Sequence, residues 1–399
     1  MSRAHRLSSR AQRGICSALL VLGAVSANAQ DTSHTATRRE IVGLPALNFS
    51  SDEGVGYGAL LQVYDYGTGV SPYRYTIQPT IIFTTKGRRD LLLFFDAPHI
   101  AGWRLGVDVA REVHLATPYY GIGNDTPYDT TNEQDPNPYF YRFGRHRTRV
   151  TADVQHGIGT LPARVLFGAG FVDVSTKTVP FDSGTTLFAQ QQAQNGAPKG
   201  RANYARVGLV WDTRDREIGT RSGTWTELLV QHAATALDAT SDYTRVTGTA
   251  RVYVPLQSRL TLAERLILQE VNGDVPIWDL TTIQSSYKAQ EGLGGSNTVR
   301  GVVKNRYQGK AMFVVNNELR WRFADFRLMN KPSFLLASGF LDFGRVWPEQ
   351  IALSELLSGR HAGYGGGLRL GLGPSFVIAV DMGHSSEATQ LYIGLGYPY

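Results

Sequence analysis

The stretch Ala311-Met-Phe-Val-Val-Asn-Asn-Glu-Leu-Arg-Trp-Arg-Phe323 decides the fold of this 399-residue chain. Its odd-numbered residues are apolar except for Asn317, and its even-numbered residues end in Glu318, Arg320 and Arg322. Alternation with a period of two residues indicates a β-strand that has one apolar face and one polar face. A strand of this length suits a tilted bilayer crossing and exceeds the usual soluble strand. We therefore predict a strand with one face for lipid and the other for water.

The same alternation recurs along the chain, for example at 149–155, 205–212 and 245–254. A soluble β-sandwich alternates in the same way, so this pattern leaves a sandwich and a membrane barrel both open. About sixteen segments qualify as strands. We predict them at 41–49, 54–65, 73–85, 90–97, 102–114, 142–157, 162–176, 201–212, 222–235, 242–254, 258–271, 310–324, 333–346, 362–373, 375–384 and 390–398.

The predicted connections alternate between short and long. Those at 157–161, 255–258 and 373–374 are tight, and all the long ones fall on the other side of the sheet. Outer-membrane barrels show short periplasmic turns and longer external loops, and an even strand count leaves both termini in the periplasm. Bulkier turns near 213–221 and 325–332 are exceptions on the short side. The long connections are 115–141, 177–200, 272–309 and 347–361.

Composition also favours an all-β chain. Hydrophobic residues make up 42% and charged residues 19%, and the 43 Gly and 19 Tyr are high for a helical protein. Beyond residue 29, no segment approaches the ~20 consecutive apolar residues of a membrane-spanning helix. A membrane form of this chain would therefore be a closed transmembrane antiparallel β-barrel, because lipid leaves no partner for open sheet edges.

The N-terminus has the pattern of a secretory signal peptide. Four arginines precede the apolar stretch Ile15 to Val25, and Ala27-Asn-Ala29 provides small residues for cleavage. We predict a signal peptide at 1–29, a short periplasmic segment at 30–40 and an outer-membrane barrel at 41–399. Removing the signal takes four arginines and no acid, so the formal net charge falls from +6 to +2. Such a balance gives no reason to expect a nucleic-acid partner, and Cys16, the one cysteine, leaves with the signal.

The longest loop contains Glu291-Gly-Leu-Gly-Gly-Ser-Asn-Thr-Val-Arg-Gly301. A phosphate-binding reading is disfavoured because the run joins no strand to a helix and lacks the Gly-Lys-Ser/Thr ending. With this loop the chain resembles the bacterial surface antigen family, the BamA/TamA type of outer-membrane assembly and translocation barrels. Their loop carries a Val-Arg-Gly-aromatic motif and folds into the lumen. Val299, Arg300 and Gly301 match this motif, whereas Val302 replaces the aromatic residue.

The resemblance implies a lumen loop clamp. In that family the loop arginine meets an acid in a Phe-x-Asp-x-Gly strand motif, matched here by Phe340, Asp342 and Gly344. Arg300 would then bind Asp342 through a charge-assisted, bidentate contact that pins the loop. This side of the strand would face inward. Arg345 would face lipid near the external end, where its guanidinium could reach water.

Two further motifs accompany the resemblance. Asp212, Arg214 and Asp215 match a periplasmic turn motif, although such acids can equally serve only to cap a turn. The C-terminal Tyr392-x-Gly394-x-x-Tyr397-x-Tyr399 looks like the signal that outer-membrane barrels present to the barrel assembly machinery. Pro398 in this segment has no N–H to donate to a ladder.

Enzymatic readings find little support in the sequence. It contains no Gly-x-Ser-x-Gly elbow and no His-Glu-x-x-His, and its histidines show no ligand spacing. His384 beside Ser385 is a poor catalytic pair, because adjacent strand residues point to opposite faces. We therefore expect no catalytic residue, no cofactor and no metal site.

The resemblance implies insertion or translocation of proteins or lipids at the outer membrane. Assembly barrels usually follow periplasmic POTRA modules, and about ten residues between Gln30 and the first strand leave no room for one. We therefore expect a barrel-only member with outer-membrane lipid around it, a separate periplasmic partner, and a protein or lipid client. The rival hypothesis is a porin-like channel or structural barrel, since fold does not fix function.

Overall fold

A computed structural model describes residues 39–399 except 51–53, 68–69, 71, 135–136, 180–184, 196–197, 329 and 374–375. The predicted signal peptide at 1–29 and most of the segment at 30–40 lie outside the described residues. Within the described part, no helix is both long and apolar enough to cross a bilayer.

Long antiparallel strands form most of the structure, with three short strands in the connections. The strands are β1 (Arg39–Ser50), β2 (Gly54–Asp65), β3 (Tyr75–Thr84), β4 (Arg89–Ile100), β5 (Trp103–Pro118), β6 (Arg142–Gly157), β7 (Ala163–Lys177), β8 (Lys199–Arg201), β9 (Tyr204–Asp212), β10 (Gly223–Ala233), β11 (Tyr243–Gln257), β12 (Leu260–Gly273), β13 (Thr282–Ile283), β14 (Gln290–Glu291), β15 (Ala311–Leu328), β16 (Lys331–Trp347), β17 (His361–Leu372), β18 (Phe376–Ser385) and β19 (Thr389–Leu395).

Helical structure is confined to connections. A helix α1 (Leu187–Asn195) follows β7, and 3-10 turns occur at Thr130–Glu133, Thr235–Leu237, Ile277–Asp279 and Leu353–Glu355.

Sixteen of the strands form one antiparallel meander, in which each strand pairs with the next long strand along the chain. The short β8 adds to the edge of β7, and β13 pairs with β14 inside a connection. The prediction of about sixteen strands in an all-β barrel is confirmed. Long connections precede β6, β9, β15 and β17, all at the same, external end of the strands.

The two faces of each strand differ as the sequence predicted. On β9, Leu209 is 54% exposed on the outer wall, whereas Arg206 on the opposite face is buried in the lumen. On β15, Trp321 is 54% exposed and Glu318 is fully buried. A wall with apolar side chains outside and charged side chains inside matches lipid outside and a polar lumen.

The structure corrects two predicted boundaries. The prediction of a bulky turn at 325–332 is wrong, because β15 and β16 stay paired as far as Leu328 and Lys331. The last strand ends at Leu395 instead of 398. Gly396 has φ +82°, a left-handed conformation that glycine tolerates, and there the chain leaves the strand direction.

In the described residues, the first and last strands of the meander each have a ladder partner on one side only. Among the described residues, no ladder pair joins β1 to β19. Near the periplasmic end, Glu40 of β1 contacts Lys331 at the start of β16, with Oε1 3.5 Å from Nζ. We call the edges of β1 and β19 that have no ladder partner in the described residues the seam.

Candidate functional site

The connection 274–310 between β12 and β15, which we call the lumen loop, runs inside the barrel and touches opposite walls. Near its start, Asp279 accepts a hydrogen bond from Arg245 of β11 at 2.8 Å. Further on, Lys288 donates to Gln78 of β3 at 2.8 Å, and its ammonium lies 4.4 Å from the centre of the Phe94 ring. The fold prediction of a long external loop in the lumen is confirmed.

Arg300 of the lumen loop lies against the wall made by β15 and β16. Its Nε is 2.7 Å from Asp342 Oδ2 and its Nη2 is 3.1 Å from Oδ1, a bidentate arrangement. Its backbone N–H donates to the same carboxylate, and Nη1 lies 2.6 Å from Glu318 Oε2. Arg300 is 1% exposed and both acids are fully buried, so water screens these contacts little.

Further charges extend this contact into a network. Glu318 accepts a second hydrogen bond from Arg320 Nε at 2.8 Å. Oδ2 of Asp381 on β18 lies 3.5 Å from Arg300 Nη1. The same carboxylate accepts hydrogen bonds from Nη1 and Nη2 of Arg369. The three arginines and three acids balance in charge, which is what burial of so many ions requires.

An aromatic ring covers Arg300 although the loop motif lacks one. Phe340 of β16 places its ring centre 3.5 Å from the guanidinium carbon, within cation–π range. Val302, at the position of the family aromatic, is buried with Val299 in an apolar cluster between the loop and the inner wall. In this chain, stacking on the arginine thus comes from the strand.

Glycines let the loop reach the wall. A Cβ at Gly363 would lie 1.8 Å from the carbonyl oxygen of Arg300, and one at Gly344 would lie 2.4 Å from Leu293. Gly301 has φ +97°, a conformation that other residues rarely adopt. Any side chain at these positions would push the loop away from the barrel wall.

The turn at Gly301 also contacts the last strand of the barrel. Its N–H donates to the hydroxyl of Tyr392 on β19 at 3.0 Å. Its carbonyl accepts from the hydroxyl of Ser385 on β18 at 3.0 Å. The loop therefore binds the strand that borders the seam.

Glu291 anchors the lumen loop to the opposite wall. Its Oε1 lies 2.9 Å from Arg145 Nη2 and 2.7 Å from Arg147 Nη2, both on β6. Burial alone would raise the pKa of Glu291, but the charges of Arg145, Arg147 and Lys304 hold this pKa well below its usual value. The loop thus contacts one wall through the positive charge of Arg300 and the opposite wall through the negative charge of Glu291.

The residues of the predicted barrel-assembly signal are split between strand and lumen. Gly394 of β19 is paired with Ala379 of β18. Tyr397 and Tyr399 follow the bend at Gly396, and Tyr399 is buried, its carbonyl accepting from Arg320 Nη2 at 3.1 Å. The chain end therefore points into the lumen and does not extend the last strand.

The predicted periplasmic turn motif forms a compact charged turn. Arg214 donates from Nε and Nη2 to Asp212 at 2.8 Å each. Asp215 accepts from the backbone N–H groups of Arg221 and Ser222. This geometry orders the turn between β9 and β10.

One group of side chains has the composition of a metal site. Asp90, Glu112 and His114 offer ligand atoms within 4.8 Å of one another. Arg88 and Arg147, however, already bind the two carboxylates at 2.7 and 2.6 Å. A cation would have to displace these guanidinium groups, so the geometry fits an ion-pair network better.

Sequence reasoning missed Glu291 as an anchor, although it opens the quoted glycine-rich stretch. Its partner Arg145 on β6 lies 146 residues away along the chain, and only the folded sheet brings the two together. The apolar inner residues Met312 and Val314 were also missed, because they pack on the loop instead of facing water.

Comparisons with known proteins agree with this architecture. Residues 81–396 match the Omp85 superfamily domain. BamA from Haemophilus ducreyi lacking POTRA domains 1–3 superposes with TM-score 0.55 at 13% identity, over 90% of this chain and 69% of that one. CdiB from Escherichia coli gives 0.56 at 11%, over 90% of this chain and 62% of that one, so the chain spans less than two thirds of CdiB. No curated protein sequence matches the chain.

Proposed function

This chain belongs to the Omp85 superfamily, and we propose that it acts in the outer membrane to insert or translocate proteins or lipids through its seam. One observation carries the proposal. The lumen loop, docked through Arg300, donates a hydrogen bond from Gly301 to β19, and in the described part of the chain β19 shares no ladder with β1. The docked loop thus contacts β19, the strand to which an incoming strand would pair.

The seam supplies a chemical reason for activity on strands. Unpaired N–H and C=O groups at a strand edge bind another extended segment by adding it to the sheet. The Glu40–Lys331 contact near the periplasmic end ties β1 to β16, with Lys331 42% exposed and Glu40 only 7% exposed along their side chains. Opening of the seam would give a client access from the lumen to lipid.

A cavity lies beside Leu395, at the end of β19. It has a volume of about 220 Å³ and lies between Tyr64 of β2, Tyr287 of the lumen loop and Tyr397 of the tail. The lumen loop crosses the lumen between its contacts with β3, β6 and β16. A wide, steady pore would require the loop to leave both of its anchors.

The first experiment asks whether the envelope depends on this chain. A deletion strain should lose a defined outer-membrane protein or lipid, and wild type should restore it. Arg300→Ala should restore less, because the loop loses its hold on the wall beside β19. Arg327→Ala, an exposed arginine on the same hairpin, serves as the matched control. An envelope proteome and lipid profile unchanged by the deletion would refute the proposal.

The second experiment tests the seam itself. Cysteines at Glu40 and Lys331, joined by a cleavable bismaleimide, should tie β1 to the β15–β16 turn and abolish rescue until the link is cleaved. Planar-bilayer conductance separates the porin-like alternative. A large steady pore that Arg300→Ala hardly changes, together with full rescue by the cross-linked protein, would favour a channel.

A further inference from the structure

The connection 348–360 between β16 and β17, which we call the outer flap, lies on the outer wall of the barrel. Ile351 and Leu356 of the flap pack against the cluster of Ala311, Phe313 and Trp347, as does Phe343 of β16. Phe343 shares its strand face with Leu341, which is 49% exposed on the lipid side. Phe313 likewise lies on the face of β15 opposite Val314, which packs on the lumen loop. The flap therefore covers a surface that belongs to the lipid-facing wall.

Polar contacts fix the flap in this position. Arg345, on the same outward face, donates from Nη2 to Glu355 Oε2 at 2.6 Å and from Nη1 to the carbonyl of Ser358 at 2.6 Å. Trp347 Nε1 also donates to Glu355 Oε2, at 3.1 Å. Arg345, expected to reach freely from lipid to water, is instead only 12% exposed along its side chain.

The free side of the flap carries two exposed leucines. Leu353 and Leu357 are 71% and 68% exposed, the highest values for large hydrophobic residues in the described part of the chain. They are four positions apart: Leu353 begins the 3-10 turn Leu353–Glu355, and Leu357 follows this turn. Arg360 at the end of the flap is exposed and lies 5.2 Å from the centre of the Phe343 ring.

We propose that the outer flap is a membrane-contacting element, which inserts Leu353 and Leu357 among the acyl chains of the outer leaflet. Its apolar side continues the lipid-facing wall on which it is seated, and exposed leucines at that position avoid water by entering lipid. Arg360 would sit at headgroup level, where lipid phosphates attract a cation.

Single cysteines with an environment-sensitive fluorophore test this proposal in the full chain. Leu353→Cys and Leu357→Cys should give blue-shifted emission in proteoliposomes and lose emission with lipids brominated on the acyl chain. Thr130→Cys, on an exposed external turn, is the control and should keep water-like emission. Because Cys16 is the one native cysteine, a Cys16→Ser background keeps the labels specific.

A second variant separates lipid contact from loose apolar exposure. Glu355→Ala removes the acceptor of Arg345 and Trp347, so the Leu353 label should lose part of its quenching when the flap is freed. Water-like, unquenched emission at both leucines would overturn the proposal. Shielding without quenching, accompanied by cross-links between two copies, would overturn it in favour of a protein contact.

Discussion

The lumen loop and the outer flap dock on opposite faces of the same hairpin, β15 and β16. Inside, Arg300 meets Asp342 and Glu318, all nearly inaccessible to water. Outside, Arg345 meets Glu355, whose side chain is 47% exposed. Each loop is held by an arginine paired with carboxylate groups, two inside and one outside. Of these two arginines, only the inner one pairs with acids that have no access to solvent.

This difference follows from the strand pleat. Asp342 and Arg345 are three positions apart on β16, so one points into the lumen and the other outward. When its arginine is removed, a buried carboxylate stays without a compensating charge, whereas an exposed carboxylate is hydrated by solvent. We therefore expect the inner loop to be held strongly and the outer flap weakly.

The largest effect is expected for Arg300→Ala. It leaves Asp342 and Glu318 buried without this guanidinium, and breaking a buried pair in this way costs about 3–5 kcal/mol of unfolding free energy. Urea unfolding of the purified barrel, followed by the heat-dependent shift in gel mobility, measures the loss. Arg300→Lys keeps the charge without the bidentate geometry and should lose less. If Arg300→Ala unfolds with the wild-type free energy, the expectation that the lumen loop is held more strongly than the outer flap is wrong.

Glu291→Gln should have an intermediate effect that depends on pH. It weakens hydrogen bonds to Arg145 and Arg147, a loss of about 1.5–3 kcal/mol near neutral pH. Because the pKa of Glu291 is lowered in the folded chain, its contribution is present above about pH 4.3 and disappears as the pH falls through the folded value.

The measurement for this variant is the stability difference from wild type at neutral and acid pH. The difference should shrink on acidification. The exposed Glu349, paired with Lys310 at 2.7 Å, provides the matched control as Glu349→Gln, with little difference at either pH. An equal difference at both pH values would show that Glu291 is not the ionised anchor.

The smallest effect is expected for Arg345→Ala, about 0–1 kcal/mol, since Glu355 can be solvated when its partner is gone. Limited proteolysis should nonetheless cut the outer flap faster, because the flap loses its contacts to Glu355 and Ser358. A loss as large as that of Arg300→Ala would remove the distinction between the two loops.

The strand pattern shows how much of the fold was predictable. The alternation predicted that Leu209 and Trp321 face outward and that Arg206 faces inward, because successive side chains along a strand point to opposite faces. The end of the last strand was mispredicted by three residues. There, the turn at Gly396 and the hydrogen bond from Arg320 to Tyr399 direct the tail inward, and the second of these is a long-range contact.

The candidate site was predictable in part. The motif resemblance paired Arg300 with Asp342, and the structure brings the two together. It did not indicate that Phe340 replaces the missing loop aromatic, or that Glu291 faces Arg145 across the lumen. The role of this contact as a clamp on the loop stays a proposal for the variants above.

By itself, the sequence determined the period, length and polarity of the strands, because these are local properties of a chain whose side chains alternate between two environments. Only the tertiary structure decided which charges neutralise one another. Glu291 and Arg147, or Arg345 and Glu355, become partners through barrel curvature and loop docking. Since ion pairs form by distance in space, spacing along the chain could not reveal them.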